Sequence, residues 1–249
     1  MEGDNPLITL MYHGVTSKDY KSPPDRETGA ELYDVRVENF QAQMDYLHRH
    51  PERSEGSQPV LTFDDGEMNN YEIALPIIKE FGFKAYFFII VKRIGNEGYM
   101  GWKELKSLAE AGMTVGSHGL THEVLTNLKD SQIIEELRAS KNCLEKNLGI
   151  PINSFSVPRG FCNEKIIQMA YEAGYSQIFI SDKPEYLKSA CTPRIAVKAN
   201  WSLKRFQQAL ENYVPVGEIL GDAFKNTAKI ILRERGYNFL RRVLIYLIK

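Results

Sequence analysis

The order of apolar segments predicts an α/β protein whose parallel strands are joined by crossover helices and closed into a barrel. Three observations carry this expectation. Seven short apolar runs, ITLMY, VLTF, AYFFII, MTVGS, FSV, QIFI and RIAV, alternate with stretches of helical period. Glycine stands just past three of those stretches and shortly before the next strand, at Phe81-Gly82, Ala111-Gly112 and Ala173-Gly174, as a helix C-terminus prefers. No glycine-rich nucleotide loop is present, which favours closure over an open doubly wound sheet.

The first strand, ITLMY, runs into His13. The segment from Thr16 to Tyr33 is polar and holds two prolines, so it reads as a long surface loop near the barrel mouth. Helical period covers about Val37 to His50, where His48 and His50 fit the cation preference of a helix C-terminus. After the polar loop HPERSEGSQP, the β-branched and aromatic run Val60 to Phe63 reads as a strand, and Gly66 marks the break after it. Helices follow at about Tyr71 to Phe81, Trp102 to Ala111, Asp130 to Leu148, Glu164 to Ala173 and Ser202 to Tyr213, with a strand before each.

A chain of 249 residues, 43% hydrophobic and 25% charged, can bury one large core. Its formal net charge of −1 gives no general electrostatic case for nucleic acid. Cys143, Cys162 and Cys191 are odd in number, widely spaced and lack CxxC spacing, which suggests neither a disulfide framework nor a thiolate zinc site; they read as packing residues in a reducing, cytoplasmic compartment. The first residues carry acidic groups where a signal peptide carries positive charge, and no run reaches the roughly 18 apolar residues of a membrane span.

Two carboxylates, Asp64 and Asp65, end the VLTF strand, so in a barrel they lie on the C-terminal rim where chemistry sits. Like charges so close resist joint ionisation unless a cation or hydrogen-bond donors compensate them. The segment GSHGLTHEVL follows the strand MTVGS and puts His118 and His122 four apart on the same rim, convergent on a helical turn or in a tight loop. Two imidazoles and one carboxylate suit a zinc ion with open positions. The aspartates then split roles, one binding metal and the other taking a proton. The same donor set also suits a non-haem metal oxygenase.

TFDDG at Thr62 to Gly66, followed by SHGLTH at Ser117 to His122, resembles the first two motifs of the polysaccharide deacetylases related to the nodulation-factor deacetylase, carbohydrate esterase family four. The likeness runs from Leu7 to about Leu210. It implies a distorted (β/α) barrel with about seven parallel strands and metal-dependent hydrolysis of an acetyl group, most naturally the N-acetyl of an amino sugar, in glycan biosynthesis or modification. By that resemblance Asp64 is the general base, while Asp65, His118 and His122 hold a divalent metal, zinc by preference.

Three departures from the family pattern bear on the site. Gly119 stands where Ser or Thr commonly follows the first histidine, which removes one loop-fixing hydrogen bond. In the third motif, SVPRGF, Ser156 occupies the usual arginine position and Arg159 the usual tyrosine position. The resemblance gives the Pro158, Arg159 and Gly160 turn the oxyanion, through the backbone N–H of Arg159. Arg194, in TPRIAV, is the candidate to replace the missing arginine beside Asp64, an ordinary salt bridge being the alternative. No histidine follows His122, so the acid of an amide cleavage falls to His13, because family members with rearranged motifs carry a similar MYH segment.

The chain divides into a catalytic barrel at 1–214 and an extension at 215–249. Ala223 to Lys249 contains seven Lys or Arg and one Glu among apolar residues. The favoured reading is a terminal helix packed on the barrel with a solvated basic face; the other is peripheral contact with the inner face of an anionic membrane. The expected partner is an acetylated sugar or glycan, with no nucleic acid. A catalytically inactive carbohydrate-binding barrel is the non-enzymatic alternative.

Overall fold

The computed structural model describes residues 8–50, 59–181 and 190–211. In chain order the elements are β1 (Thr9–Tyr12), β2 (Val15–Thr16), β3 (Val35–Arg36), α1 (Val37–Arg49), β4 (Val60–Phe63), α2 (Leu75–Glu80), β5 (Ala85–Ile89) and α3 (Trp102–Glu110). They continue with β6 (Thr114–Ser117), α4 (Asp130–Leu148), β7 (Ser154–Ser156), α5 (Glu164–Glu172), β8 (Gln177–Ile180), β9 (Thr192–Pro193), β10 (Ile195–Ala196) and α6 (Leu203–Leu210). The extension at 215–249, with its basic tail, lies outside the described residues. No helix among the described residues is long and apolar enough to cross a membrane.

Eight strands form one sheet in the order β10, β1, β4, β5, β6, β7, β8, β9, and every pairing in it is parallel. The expected seventh strand is present as two halves, β9 and β10, separated by Arg194. Its first half pairs with β8 and its second with β1, so one extended segment nearly closes the ring. The Arg194 N–H still bonds Ile180 O at 3.0 Å, while the Val197 N–H bonds Met11 O at 3.0 Å. A distorted (β/α) barrel is therefore the observed architecture.

Period-two alternation sorts the strand residues into two layers. Leu61, Phe63, Phe87 and Ile89 join the sheet-to-helix core with Tyr12 and Phe40. Phe88 packs on Phe179 at a centroid distance of 5.1 Å, and the Arg194 guanidinium lies 5.6 Å over Phe88, so these residues share the barrel interior with Thr62. A Cβ on Gly116 would sit 2.6 Å from the Phe88 ring and 3.0 Å from Ser154 O. Gly116→Ala is expected to cost about 1–3 kcal/mol by overpacking, read as a lower urea midpoint with unchanged slope.

The second helix departs from its expected start at Tyr71. Asn70–Ala74 forms a π-turn, with Leu75 N–H bonded to Asn70 O, before α2 begins. Pro76, at the start of α2, has no N–H to continue a regular ladder, which accounts for the wider turn. His48 and His50 keep to the end of α1, with rings beside Phe81 and Tyr46 at 5.8 and 4.6 Å.

The Thr16 to Tyr33 segment is more than a surface loop. The Arg26 side chain is 8% exposed, and its guanidinium bonds Asp34 and Glu67. Glu67 also accepts from Tyr20 Oη at 2.9 Å and Asn69 Nδ2 at 2.8 Å. These partly buried charge-assisted bonds hold the loop against the residues that follow β4, and so against the barrel mouth.

Candidate metal and catalytic site

Thr62 faces the barrel interior, so alternation along β4 sends Asp64 there too. Asp64 remains on the ladder, its N–H bonded to Tyr12 O at 3.0 Å. Asp65 would point outward in an extended chain, but its φ of 75° turns the backbone and swings its carboxylate toward the mouth. Among the described residues, the non-glycine positions with left-handed φ are Asp65, His122 and Arg159. All three came from the sequence as candidate site residues, and strain of this kind concentrates where function holds it in place.

His118 leaves the end of β6 and His122 follows through a loop in which Gly119 has φ 84°. The two imidazoles converge by that loop and not by a helical turn. Their Nε2 atoms lie 3.2 Å apart, and Asp65 Oδ1 is 3.6 Å from His118 Nε2 and 3.5 Å from His122 Nε2. Each Nδ1 faces an acceptor: Ser156 O at 2.8 Å for His118 and Glu27 Oε1 at 2.6 Å for His122. Both Nδ1 atoms therefore carry hydrogen, which turns the two Nε2 atoms toward one another and toward Asp65. Burial acts against the charged form of His122, but the Glu27 and Asp65 carboxylates on its two sides raise its pKa above the ordinary imidazole value.

Asp65 Oδ1 is buried and has no hydrogen-bond partner. With both rings neutral, two nitrogen lone pairs and an orphaned carboxylate oxygen face one point and repel each other unless a cation lies among them. The residues present thus fit a divalent metal, with Asp65, His118 and His122 as its ligands. Burial, aided by His122, pushes the His118 pKa down to about 4 against the pull of the two aspartates, so this ring is neutral at pH 7. Burial acts to raise the Asp65 carboxyl, but the three neighbouring histidines bring it below its ordinary range.

The loop that carries the histidines is braced by Glu136 of α4. Its carboxylate accepts from Leu120 N at 2.8 Å, Thr121 N at 3.0 Å and Thr121 Oγ1 at 2.5 Å. Ser117 Oγ also accepts from the Gly119 N–H at 3.2 Å, so the loop is tied down on both sides of Gly119.

Arg194 forks onto Asp64, Nη1 to Oδ1 at 2.8 Å and Nη2 to Oδ2 at 2.8 Å. Its remaining reach goes to Thr62 Oγ1 at 3.1 Å and Ser156 Oγ at 2.8 Å. The small side chain at position 156 leaves the room that Arg194 fills from another strand. Burial favours the neutral form of Asp64, yet the Arg194 charge outweighs it and holds the carboxyl well below the usual carboxylate range. Asp64 Oδ2 also lies 3.7 Å from His118 Nε2, beside the metal ligands without joining them.

His13, just beyond β1, sets its ring against Tyr33 at 5.0 Å with the planes tilted by 30°, and its backbone carbonyl accepts from Asn70 Nδ2 at 2.6 Å. Its Nδ1 is buried without a hydrogen-bond partner. Pro158 and Gly160 flank Arg159 in a single 3₁₀ turn after β7. The Arg159 guanidinium is not simply solvated, because Nε lies 3.4 Å from Glu27 Oε2.

Glu27 is the residue that sequence reading missed. It sits in the polar loop between β2 and β3, where no spacing or motif marks it. Burial opposes its ionisation, but the His122 hydrogen bond and nearby charges bring its pKa down to about 2.

The polysaccharide deacetylase family profile covers residues 53–178. The Bacillus subtilis (strain 168) protein YxkH, which carries the name of the same family, is 28% identical over 182 residues, or 72% of this chain and 65% of its own. A poly-beta-1,6-N-acetyl-D-glucosamine N-deacetylase of Staphylococcus aureus (strain MRSA252) is 25% identical over 199 residues, covering 68% of this chain and 65% of its own. The chain thus spans just under two thirds of these curated relatives. The Streptococcus pyogenes deacetylase PplD shares the fold, with a TM-score of 0.69 and 23% identity over 82% of this chain and 97% of its own. Since the profile spans half of the 249 residues and includes both motifs that build the rim, the chain belongs to the polysaccharide deacetylase family.

Proposed function

We propose that this protein is a metal-dependent hydrolase that removes the acetyl group from N-acetyl amino sugar residues of a glycan. The convergence of Asp65, His118 and His122 on one point, with an ionised Asp64 pinned beside it by Arg194, carries the reading. The names of the relatives support the substrate class.

Asp65, His118 and His122 would hold the ion, and zinc suits the donor set. When bound, it supplies an acidified water and polarisation of the acetyl carbonyl. Asp64 accepts the proton of the attacking water, and its lowered pKa keeps it ionised and ready at neutral pH. Arg194 holds both carboxylate oxygens and fixes their aim. The Arg159 N–H, in the turn framed by Pro158 and Gly160, donates to the oxygen that becomes negative as water adds to the carbonyl carbon. His13 gives its proton to the amine nitrogen as the C–N bond breaks, so acetate and a free amine leave.

Acetate release from N-acetylglucosamine oligomers tests this reading. The metal-loaded chain is expected to release acetate and the chelated chain to lose that activity, with recovery on adding zinc. Activity that survives exhaustive chelation at zero metal content excludes the metal-dependent reading. Binding of the oligomers without hydrolysis, at full metal occupancy, would favour the inactive carbohydrate-binding barrel.

A further inference from the structure

The two imidazoles at the rim are oriented by different means. His118 stands at the end of a strand and donates to a backbone carbonyl of the neighbouring strand, so the sheet itself sets its rotation. His122 lies in a loop, in the left-handed region, with no strand beside it to do the same. A carboxylate 95 residues away in sequence meets its Nδ1 instead. We propose that Glu27 is a positioning residue of this centre, locking His122 in the Nδ1–H tautomer with Nε2 aimed at the metal and tying the Arg159 turn to the same point. The inference rests on the reading of Asp65, His118 and His122 as metal ligands.

Three observations on separate elements support it. Both Glu27 oxygens are engaged, Oε1 with His122 Nδ1 at 2.6 Å and Oε2 with Arg159 Nε at 3.4 Å, so one side chain joins the loop after β6 to the turn after β7. Its neighbour Arg26 is anchored to Asp34 and Glu67, which fixes the backbone from which Glu27 projects. Asp65 stands on the opposite side of the His122 ring, at Nε2, so the imidazole is held between two carboxylates with distinct tasks. A charged acceptor on the far nitrogen raises the basicity of the ligating one and removes the cost of ordering the ring when metal binds. Loss of such a partner typically weakens metal affinity by about 10–100-fold.

The test uses the full chain, stripped of metal and titrated with zinc against a chromophoric chelator, with the visible spectrum of the cobalt(II) form as a second readout. Glu27→Ala is expected to weaken zinc binding by about 10–100-fold and to alter the cobalt bands. Glu27→Gln, whose amide oxygen still accepts from Nδ1, should lose less, and Arg159→Ala should bind zinc as the parent does. Circular dichroism establishes folding, and if Glu27→Ala does not fold the near-isosteric Glu27→Gln decides the matter through its own affinity and cobalt spectrum. Parent-like affinity and spectrum in the folded Glu27 variants overturn the proposal while leaving the metal site standing. Failure of the parent to bind zinc or cobalt, or parent-like binding by His122→Ala, overturns the metal site and this inference together.

Discussion

Asp64→Asn will lower turnover on an N-acetyl sugar by about 10²–10⁴-fold, the range over which a positioned general base contributes. The loss will fall on kcat, because the proton is transferred in the transition state, while metal stoichiometry stays that of the parent. Asp65 carries the carboxylate that converges with His118 and His122, and Asp64 lies beside that cluster, 3.7 Å from His118 Nε2. Asparagine matches the shape of aspartate but offers Arg194 one acceptor and one donor in place of two acceptors, so it also disturbs the fork. Metal content and thermal midpoint measured on the same preparation separate these effects. A metal-loaded Asp64→Asn protein with turnover within tenfold of the parent removes Asp64 from the role of base.

Arg194→Ala will destabilise the protein by about 3–5 kcal/mol, because it leaves a carboxylate buried without its counter-charge. Asp64 is 2% exposed, and apart from the distant His118 ring its remaining partner is the Ser156 hydroxyl at 3.2 Å. For a chain of this size the fall in thermal midpoint is on the order of 10 °C. The sign of the pH dependence follows from the direction of the Asp64 shift. A carboxyl with a lowered folded pKa contributes stability that is fully present above its unfolded value of about 4 and is lost as pH falls through the folded value. Arg194→Ala gives up that contribution, so its deficit is greatest at neutral pH and shrinks in acid. The same substitution lets the Asp64 pKa rise, which moves the acid limb of the pH–rate profile to higher pH. Arg194→Lys, a point charge without the planar fork, is expected to lie between the two. A deficit that does not change between pH 7 and pH 3.5 contradicts this account.

Much of the fold was legible because its signals are local. The hydrophobic period that marks α1, α3, α4 and α5 survives in the structure to within a residue or two at each end. The β-branched and aromatic runs of β4 and β5 pair where barrel closure requires. Local rules failed where tertiary geometry took over. The last strand is broken at Arg194 because its backbone leaves β8 for β1 while its side chain enters the barrel to meet Asp64. The start of the second helix widened into a π-turn, beside the Asn70 that bonds His13 O.

The sequence by itself determined the parallel barrel, the rim on which Asp64, Asp65, His118 and His122 gather, and the family to which the chain belongs, since each depends on periodicity or on a short motif. Only the tertiary structure decided that a left-handed turn brings Asp65 to the histidines, that Arg194 crosses the interior to grip Asp64, and that Glu27 reaches His122 from a loop 95 residues away. The physical reason is the range of each interaction. Apolar pattern and turn preference act between near neighbours in the chain, whereas a buried ion pair or a carboxylate–imidazole bond is fixed by folding distant segments together, and nothing in the local spacing of either partner records it.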